Sequence, residues 1–347
     1  MLLPYLEFQP RHGPGADIAD SAALIGRAHA GSGLVMRALA TLRGDGEFIR
    51  VGDNVYFDER ATVHIADGLI PSAIGNDVTV GKYALVHACT LEEGVVVGDA
   101  AVVMDGAVVG AHAVIAAGAL VPPRKALAGG VLYAGNPAAA VRAVPRDQAA
   151  AWAADMRRGE ATGPVLGADL PGLALAGMER ATARRTTPTI GGAYIAPTAV
   201  VAGNVTIGDD AGVFFGCVVA AGDGRIVIGE GTNIQDNSIL VTDRARGDLV
   251  IGNGVTVGHN ARMGSAIIGD QALIGMGSEL GDGVSVEPGG CVGARAQVLP
   301  RTVVKAGWIW AGRPAVAFRE VKTSEREAFA RFRDIYIGYS SSYRGIA

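Results

Sequence analysis

Cysteine, aromatic side chains and surplus charge are all scarce in this chain of 347 residues. Its three cysteines, Cys89, Cys217 and Cys291, are too few and too scattered for a disulfide framework or a thiolate metal site. They read as small buried hydrophobes in a reducing compartment, which points to the cytoplasm. Aromatic residues make up 5% of the chain, with no basic stripe for them to interleave. A net charge of −4 and a pI near 5.9 argue further against nucleic acid as a partner. The opening MLLPYLEFQPRHG lacks a basic start followed by an apolar run, so no secretory signal is expected. A transmembrane helix needs an apolar run of about 20 residues. The most apolar stretch, Gly94 to Val121, is interrupted by Asp99, Asp105 and His112 and has a glycine nearly every turn. No membrane association is expected.

What is abundant is glycine, 51 residues of it, together with Val, Ile and Ala. Aliphatic residues recur every six positions: Val97, Val103, Val109, Ile115 and Val121, and again Ile274, Leu280, Val286, Val292 and Val298. Ile74, Val80 and Val86 keep the same spacing, as do Ile251, Val257 and Met263. Six fits neither the 3.6 residues of a helical turn nor the alternation of a hairpin strand. It fits a parallel β-helix of hexapeptides, three of them closing a triangular coil of about 18 residues. One aliphatic side chain per hexapeptide points inward. The glycine that often follows it, as at Gly75, Gly81, Gly98, Gly110 and Gly275, is expected to turn the corner with a positive φ.

The chain also repeats on a larger scale. At an offset of 177 residues, Ile18 falls on Ile195, Gly26 on Gly203, Ile49 on Ile226, Gly81 on Gly258 and Gly98 on Gly275. AGNPAAAVR (134–142) falls on AGRPAVAFR (311–319), and no gap is needed from about residue 18 to 142. The sequence therefore reads as a tandem duplication, with domains at 1–158 and 189–347 and a linker at 159–188. Each β-helix is expected to end in a helix, over Pro145 to Arg158 and Thr323 to Tyr336, the second with Ser324 and Glu327 in capping-box spacing. A short helix is expected in the linker around Met178 to Arg185.

Both copies resemble the γ-class carbonic anhydrases of the hexapeptide-repeat superfamily. The resemblance rests on GEGTNIQDNS (229–238) and VTVGH (255–259) in the second copy, on LRGD (42–45) and VTVG (78–81) in the first, and on the closing AGxP in both. It implies a mostly β fold, two left-handed parallel β-helix domains each followed by a C-terminal α-helix. It also implies a trimer-based homo-oligomer with a metal, zinc or alternatively iron or cobalt, held between neighbouring subunits by three histidines. Two come from one subunit and the third from the next.

Carried over position by position, neither copy is complete. The first has His64, Lys82 and His87 at the three ligand positions; the second has Val241, His259 and Gly264. The survivors are complementary, so a mixed interface would gather His64, His87 and His259. The supporting residues divide too. Arg43 and Asp45 of the RGD segment survive in the first copy, against Ala220 and Gly222 in the second. Gln235 and Asp236 survive in the second, against Asp58 and Glu59 in the first. The resemblance gives Arg43, Asp45 and Asp236 places at the interface and around the metal.

Three neutral imidazoles leave the charge of a zinc ion uncompensated, which lowers the pKa of its water to about 7. Gln235 would orient that water, and Asp67, three residues after His64, would pass protons to solvent. CO2 and bicarbonate are then the substrates. Other readings stay open at this point. His64 and His87 can be exposed corner residues, Lys82 can fill an abandoned metal site beside Asp58 or Glu59, and Arg43 with Asp45 can be an intersubunit ion pair. His12, His29 and His112 match no ligand position and read as surface or turn residues. The alternatives to a carbonic-anhydrase-like enzyme are a non-catalytic assembly or scaffold protein, and an acyltransferase with His87 or His112 as base. A three-sided ring cannot alternate two kinds of domain evenly, so mixed and separate trimers are both open.

Overall fold

The six-residue period becomes the interior of a parallel β-helix. The computed structural model describes residues 1–66, 68–167 and 187–345. The chain divides into two compact units, Met1–Leu170 and Pro171–Gly345. The expected linker helix around Met178 to Arg185 lies outside the described residues.

In the first unit successive short strands visit three faces in turn. Tyr56–Phe57, Thr62–His64 and Ser72–Ile74 make one coil, and Thr79–Val80 begins the next directly above Tyr56–Phe57. The two longest strands of this unit, Ala23–Ala30 and Thr41–Val51, run through a corner and so belong to two faces. Thr41–Val51 pairs at its start with Thr62–His64 and at its end with Ser72–Ile74. All the period-six residues are buried in two aliphatic cores, one per unit. The pairing register repeats as the sequence does. Thr41 pairs with Thr62 and Val218 with Ile239; Val102 pairs with Leu120 and Glu279 with Gln297.

The glycines after the inward residues do not turn corners with a positive φ. The positive φ falls three residues after each inward side chain, at Asp77, Tyr83, Ala100, Gly106, His112, Gly118 and Arg124. Left-handed backbone costs a non-glycine residue roughly 1–2 kcal/mol. Each of these residues offsets the cost by donating its N–H to a carbonyl of the coil below, Ala100 to Lys82 at 2.7 Å and His112 to Glu93 at 2.9 Å among them. The following glycines answer a different need, room between coils. A Cβ at Gly98 would lie 2.6 Å from the Ala117 nitrogen, and one at Gly275 would lie 2.5 Å from the Gly293 carbonyl carbon.

Each unit carries a helix on the third face. Helix α1, Arg146–Arg158, lays Ala149, Ala153 and Met156 on Val96, Val114 and Leu132 and stops at Gly159 with φ 75°. Helix α2, Thr323–Arg344, runs well past Tyr336. Its first turn is closed by Glu325, not Glu327: the Glu325 carboxylate accepts the Lys322 N–H at 2.9 Å. No helix among the described residues is long and apolar enough to cross a membrane.

Candidate metal centre

Strand alternation brings two histidines together in the first unit. Val63 and Val86 point into the core, so their neighbours Thr62, His64, Leu85 and His87 point outward. His64 and His87 are register partners on adjacent strands, which lie about 4.8 Å apart. Their rings meet edge to face, with centroids 5.3 Å apart, and His64 Nδ1 lies 3.3 Å from His87 Nε2. Both residues are buried strand residues rather than exposed corner residues.

The outer ring nitrogens face carboxylates. His64 Nε2 lies 3.0 Å from Asp45 Oδ1, and His87 Nδ1 lies 2.6 Å from Asp105 Oδ1. An ionised carboxylate only accepts hydrogen bonds, so each outer nitrogen carries its ring's proton. In the neutral rings the two inner nitrogens then present lone pairs to each other, an arrangement that calls for a cation between them. Two nitrogens on one tetrahedral zinc, at the usual 2.0–2.1 Å from the metal, are about 3.3–3.4 Å apart. The observed separation fits, and carboxylates behind ligand imidazoles are the usual outer support of metal sites. Arg43 donates to the far oxygen of Asp45, with both side chains fully buried. This ion pair lies within one unit.

In the second unit His259 is fully buried. Its Nδ1 lies 3.2 Å from Asp236 Oδ2, within ion-pair distance. Asp236 is fixed by the Phe215 N–H at 3.0 Å. His259 Nε2 lies 3.3 Å from the hydroxyl of Tyr336 on α2. Gln235 Nε2 donates to Asn233 Oδ1 at 3.1 Å, and Asn233 donates to Thr256 Oγ1 at 3.0 Å, so the amide of Gln235 is held with its oxygen as the remaining acceptor.

At the positions matching His259 and Gln235, the first unit has Lys82 and Asp58. Burial raises the Asp58 carboxyl above its ordinary range, against the Glu59 N–H and the charge of Lys82, which lower it. In the second unit, where His87 would be matched by Gly264, a Cβ would collide with Asp282 Oδ1. Asp67 lies outside the described residues. His12 and His29 lie on the surface, and His112 is a corner residue with φ 59°. Sequence reasoning missed Asp105 and Tyr336. Asp105 stands one coil of about 18 residues after His87, a spacing that could have flagged it. Tyr336 carried no such signal.

No family model matches the chain. It is 39% identical over 142 residues to the mitochondrial γ carbonic anhydrase 1 of Arabidopsis thaliana, a match covering 40% of this chain and 51% of that protein. The chain thus spans about half the length of that relative. It is 35% identical over 161 residues to a carbonic anhydrase of Geobacillus kaustophilus, covering 46% of this chain and 88% of that protein. A solved hexapeptide transferase family protein from Anaplasma phagocytophilum shares 36% identity, covering 45% of this chain and 92% of that one, with a TM-score of 0.43. With the Geobacillus protein matched over most of its length, and with coils of hexapeptides in both units, the chain belongs to the γ-carbonic-anhydrase-like family of left-handed β-helix proteins.

Proposed function

We propose that this protein is a metal-dependent enzyme of the γ-carbonic-anhydrase type, interconverting CO2 and bicarbonate at a site completed by unlike halves. In this reading His64 and His87 of one half and His259 of another would each supply one ring nitrogen to the ion. The observation that carries the reading is the pair of converging imidazole nitrogens, 3.3 Å apart, backed by Asp45 and Asp105. The third histidine survives only in the half that has lost these two. A homo-oligomer built on trimers of β-helix units would supply the mixed interface. Three buried thiols suit a reducing compartment, and we assign the protein to the cytoplasm.

Bound zinc, or alternatively iron or cobalt, would acidify a water molecule to a pKa of about 7. The chain's own residues prepare the place. Asp45 and Asp105 keep the ring protons on the outer nitrogens, so that bare lone pairs face the ion. Arg43 balances Asp45, so the buried carboxylate adds little net charge to the centre. Gln235, with its nitrogen committed to Asn233, offers its oxygen to hold and orient a water. Proton exit is assigned to Asp67, with Asp105, 38% exposed at its side chain, as a second route.

Metal analysis and stopped-flow CO2 hydration test the reading on the intact chain and on His64→Ala, His87→Ala and His259→Ala. We expect stoichiometric metal, hydration that a chelator abolishes, and loss of both in all three variants. Metal retained by His259→Ala would sink the shared site. Metal bound tightly without hydration would sink the enzymatic reading and leave an assembly protein.

A further inference from the structure

The two helices meet their coils differently. Helix α1 buries Ala149 and Met156, its fourth and eleventh residues. The fourth and eleventh residues of α2 are Arg326 and Arg333, both exposed. The buried residues of α2 are confined to its second half: Tyr336, Tyr339, Ser340 and Tyr343. There the rings lock down, Tyr336 edge-on to Phe214 at 5.0 Å and Tyr343 stacked on Tyr194 at 5.4 Å. The first half stands off the β-helix and leaves a cleft of about 640 Å³ within the second unit. That volume lies in the range of about 300–1,000 Å³ typical of small-molecule sites.

The cleft has an apolar wall and a cationic rim. Leu273 and Phe329 pack against Val321 and line it. Arg326 reaches over Gly307, where Val321 donates its N–H to the Gly307 carbonyl at 2.8 Å, and Arg333 reaches over Gly231 and Gly254. The corners at 254 and 307 are three coils apart, about 14 Å, so the two guanidiniums mark opposite ends of the cleft. Neither guanidinium makes a hydrogen bond or ion pair among the described residues. Arg157 of α1 shows the contrast, since it donates to Thr79 Oγ1 at 2.9 Å and to the Asn54 carbonyl at 3.0 Å. Asp270 and Asp334 also line the cleft. Asp270 is committed to the Asn253 N–H at 2.8 Å. With two positive and two negative side chains the cleft as a whole does not attract anions, so an acidic head would be held locally, at Arg326 beside Val321 and Phe329. A single acidic head paired with an apolar body matches both parts of the surface.

We propose that this cleft binds an amphipathic organic anion, its carboxylate or phosphate head on Arg326 and its apolar body against Phe329, Leu273 and Val321. Isothermal titration of the full chain, below micelle-forming concentrations, tests it with octanoate, octyl phosphate, octanol and inorganic phosphate. Octanoate or octyl phosphate is expected to saturate one site per chain, whichever binds tighter naming the head group. Octanol and inorganic phosphate should bind at least about tenfold more weakly, the scale of one charge-assisted hydrogen bond. Arg326→Gln should weaken the better ligand by a similar factor, whereas Arg333→Gln, at the other end of the cleft, should leave it unchanged. Ala330→Trp, which fills the cleft from the exposed side of the helix and spares both arginines, should abolish binding. Circular dichroism would verify that each variant folds. Absence of saturable binding, octanol binding as well as octanoate, or unchanged affinity in Arg326→Gln or Ala330→Trp would each overturn the proposal.

Discussion

Replacing Asp45 by Asn separates what this carboxylate does for folding from what it would do for the proposed metal site. Asp45 lies between Arg43 and His64, fully buried with both contacts made. Asn keeps the shape and one acceptor oxygen but removes the charge and turns an N–H₂ toward a donor. Breaking a buried ion pair from one side costs about 3–5 kcal/mol, because the remaining charge stays buried. Removing the support behind a ligand imidazole typically lowers metal affinity about 10–100-fold. Asp105→Asn provides the comparison. Its side chain, 2.6 Å from His87 Nδ1, is 38% exposed, so water can replace much of what is lost. Metal affinity should therefore fall by a similar factor in both variants, while folding stability falls steeply only in Asp45→Asn. Adding Arg43→Met to Asp45→Asn should recover most of the stability and none of the affinity.

Competition against a chromogenic chelator would give the affinities. Urea unfolding of chelated protein would give the stabilities, so that metal binding does not add to the folding free energy. If both Asn variants hold metal within twofold of the wild type, the carboxylates do not set the ring orientation and the lone-pair argument fails. If Arg43→Met with Asp45→Asn stays as unstable as Asp45→Asn alone, the cost does not come from an isolated guanidinium.

Four further outcomes can be checked separately. Tyr336→Phe removes a hydroxyl from the His259 nitrogen that would face the metal; a hydrogen bond worth about 0.5–1.5 kcal/mol predicts metal affinity raised roughly 2–10-fold in the same chelator competition, and a fall would show that the hydroxyl assists the ion. Gly275→Ala should cost about 1–3 kcal/mol in urea unfolding through overlap with the next coil, whereas Gly289→Ala, with φ 66° and open space around it, should cost only about 1 kcal/mol. Burial pushes Glu279 up, but Arg262, Arg313 and Arg295 outweigh it and hold the carboxyl below its ordinary 4.5; its contribution to stability is present above that pH and lost as pH falls through the lowered value, so Glu279→Gln should flatten the acid limb of the melting-temperature profile, and an unchanged limb would count against it. Burial pushes the Cys291 thiol up to about 12, so at pH 8 iodoacetamide should label it only after unfolding, as read by mass spectrometry.

The interior was legible in the sequence because one requirement governs it. Each hexapeptide must send one aliphatic side chain inward, and Val97, Val103, Val109, Ile115 and Val121 announce that need directly. The offset of 177 was legible for the same reason, since both units stack coils on one register. The glycines were legible as special positions but not in their cause. Spacing cannot distinguish a residue that needs a left-handed φ from one that needs room, and at Gly98 and Gly275 it is the next coil's backbone that forbids a side chain. Asp105 and Tyr336 depend on which coil or helix turn comes to rest beside a histidine. The stand-off of α2, with Arg326 and Arg333 at positions where α1 has Ala149 and Met156, needed the packed helix to be seen.

The outward positions explain how two units of one fold came to differ in chemistry. Folding asks little of them, so His64 and His87 can become Val241 and Gly264 while the inward Val63 and Val86 become Leu240 and Met263, both still buried. The loss in the second unit then hardens. Asp282, the counterpart of Asp105, accepts the Ser265 N–H at 3.2 Å and lies 3.8 Å from Arg246. Its carboxylate has moved into the space a side chain at 264 would need, so Gly264→His would have to displace Asp282 before it could offer a nitrogen. In the first unit the backbone N–H of Lys82, which any residue there would keep, donates to Asp99 at 2.9 Å, and the Lys82 charge acts on the buried Asp58. Lys82→His would remove that charge from a carboxylate already raised by burial. The second half needs two substitutions to regain a triad and the first half needs one, at Lys82; in the proposed shared site His259 would stand in for the histidine missing there.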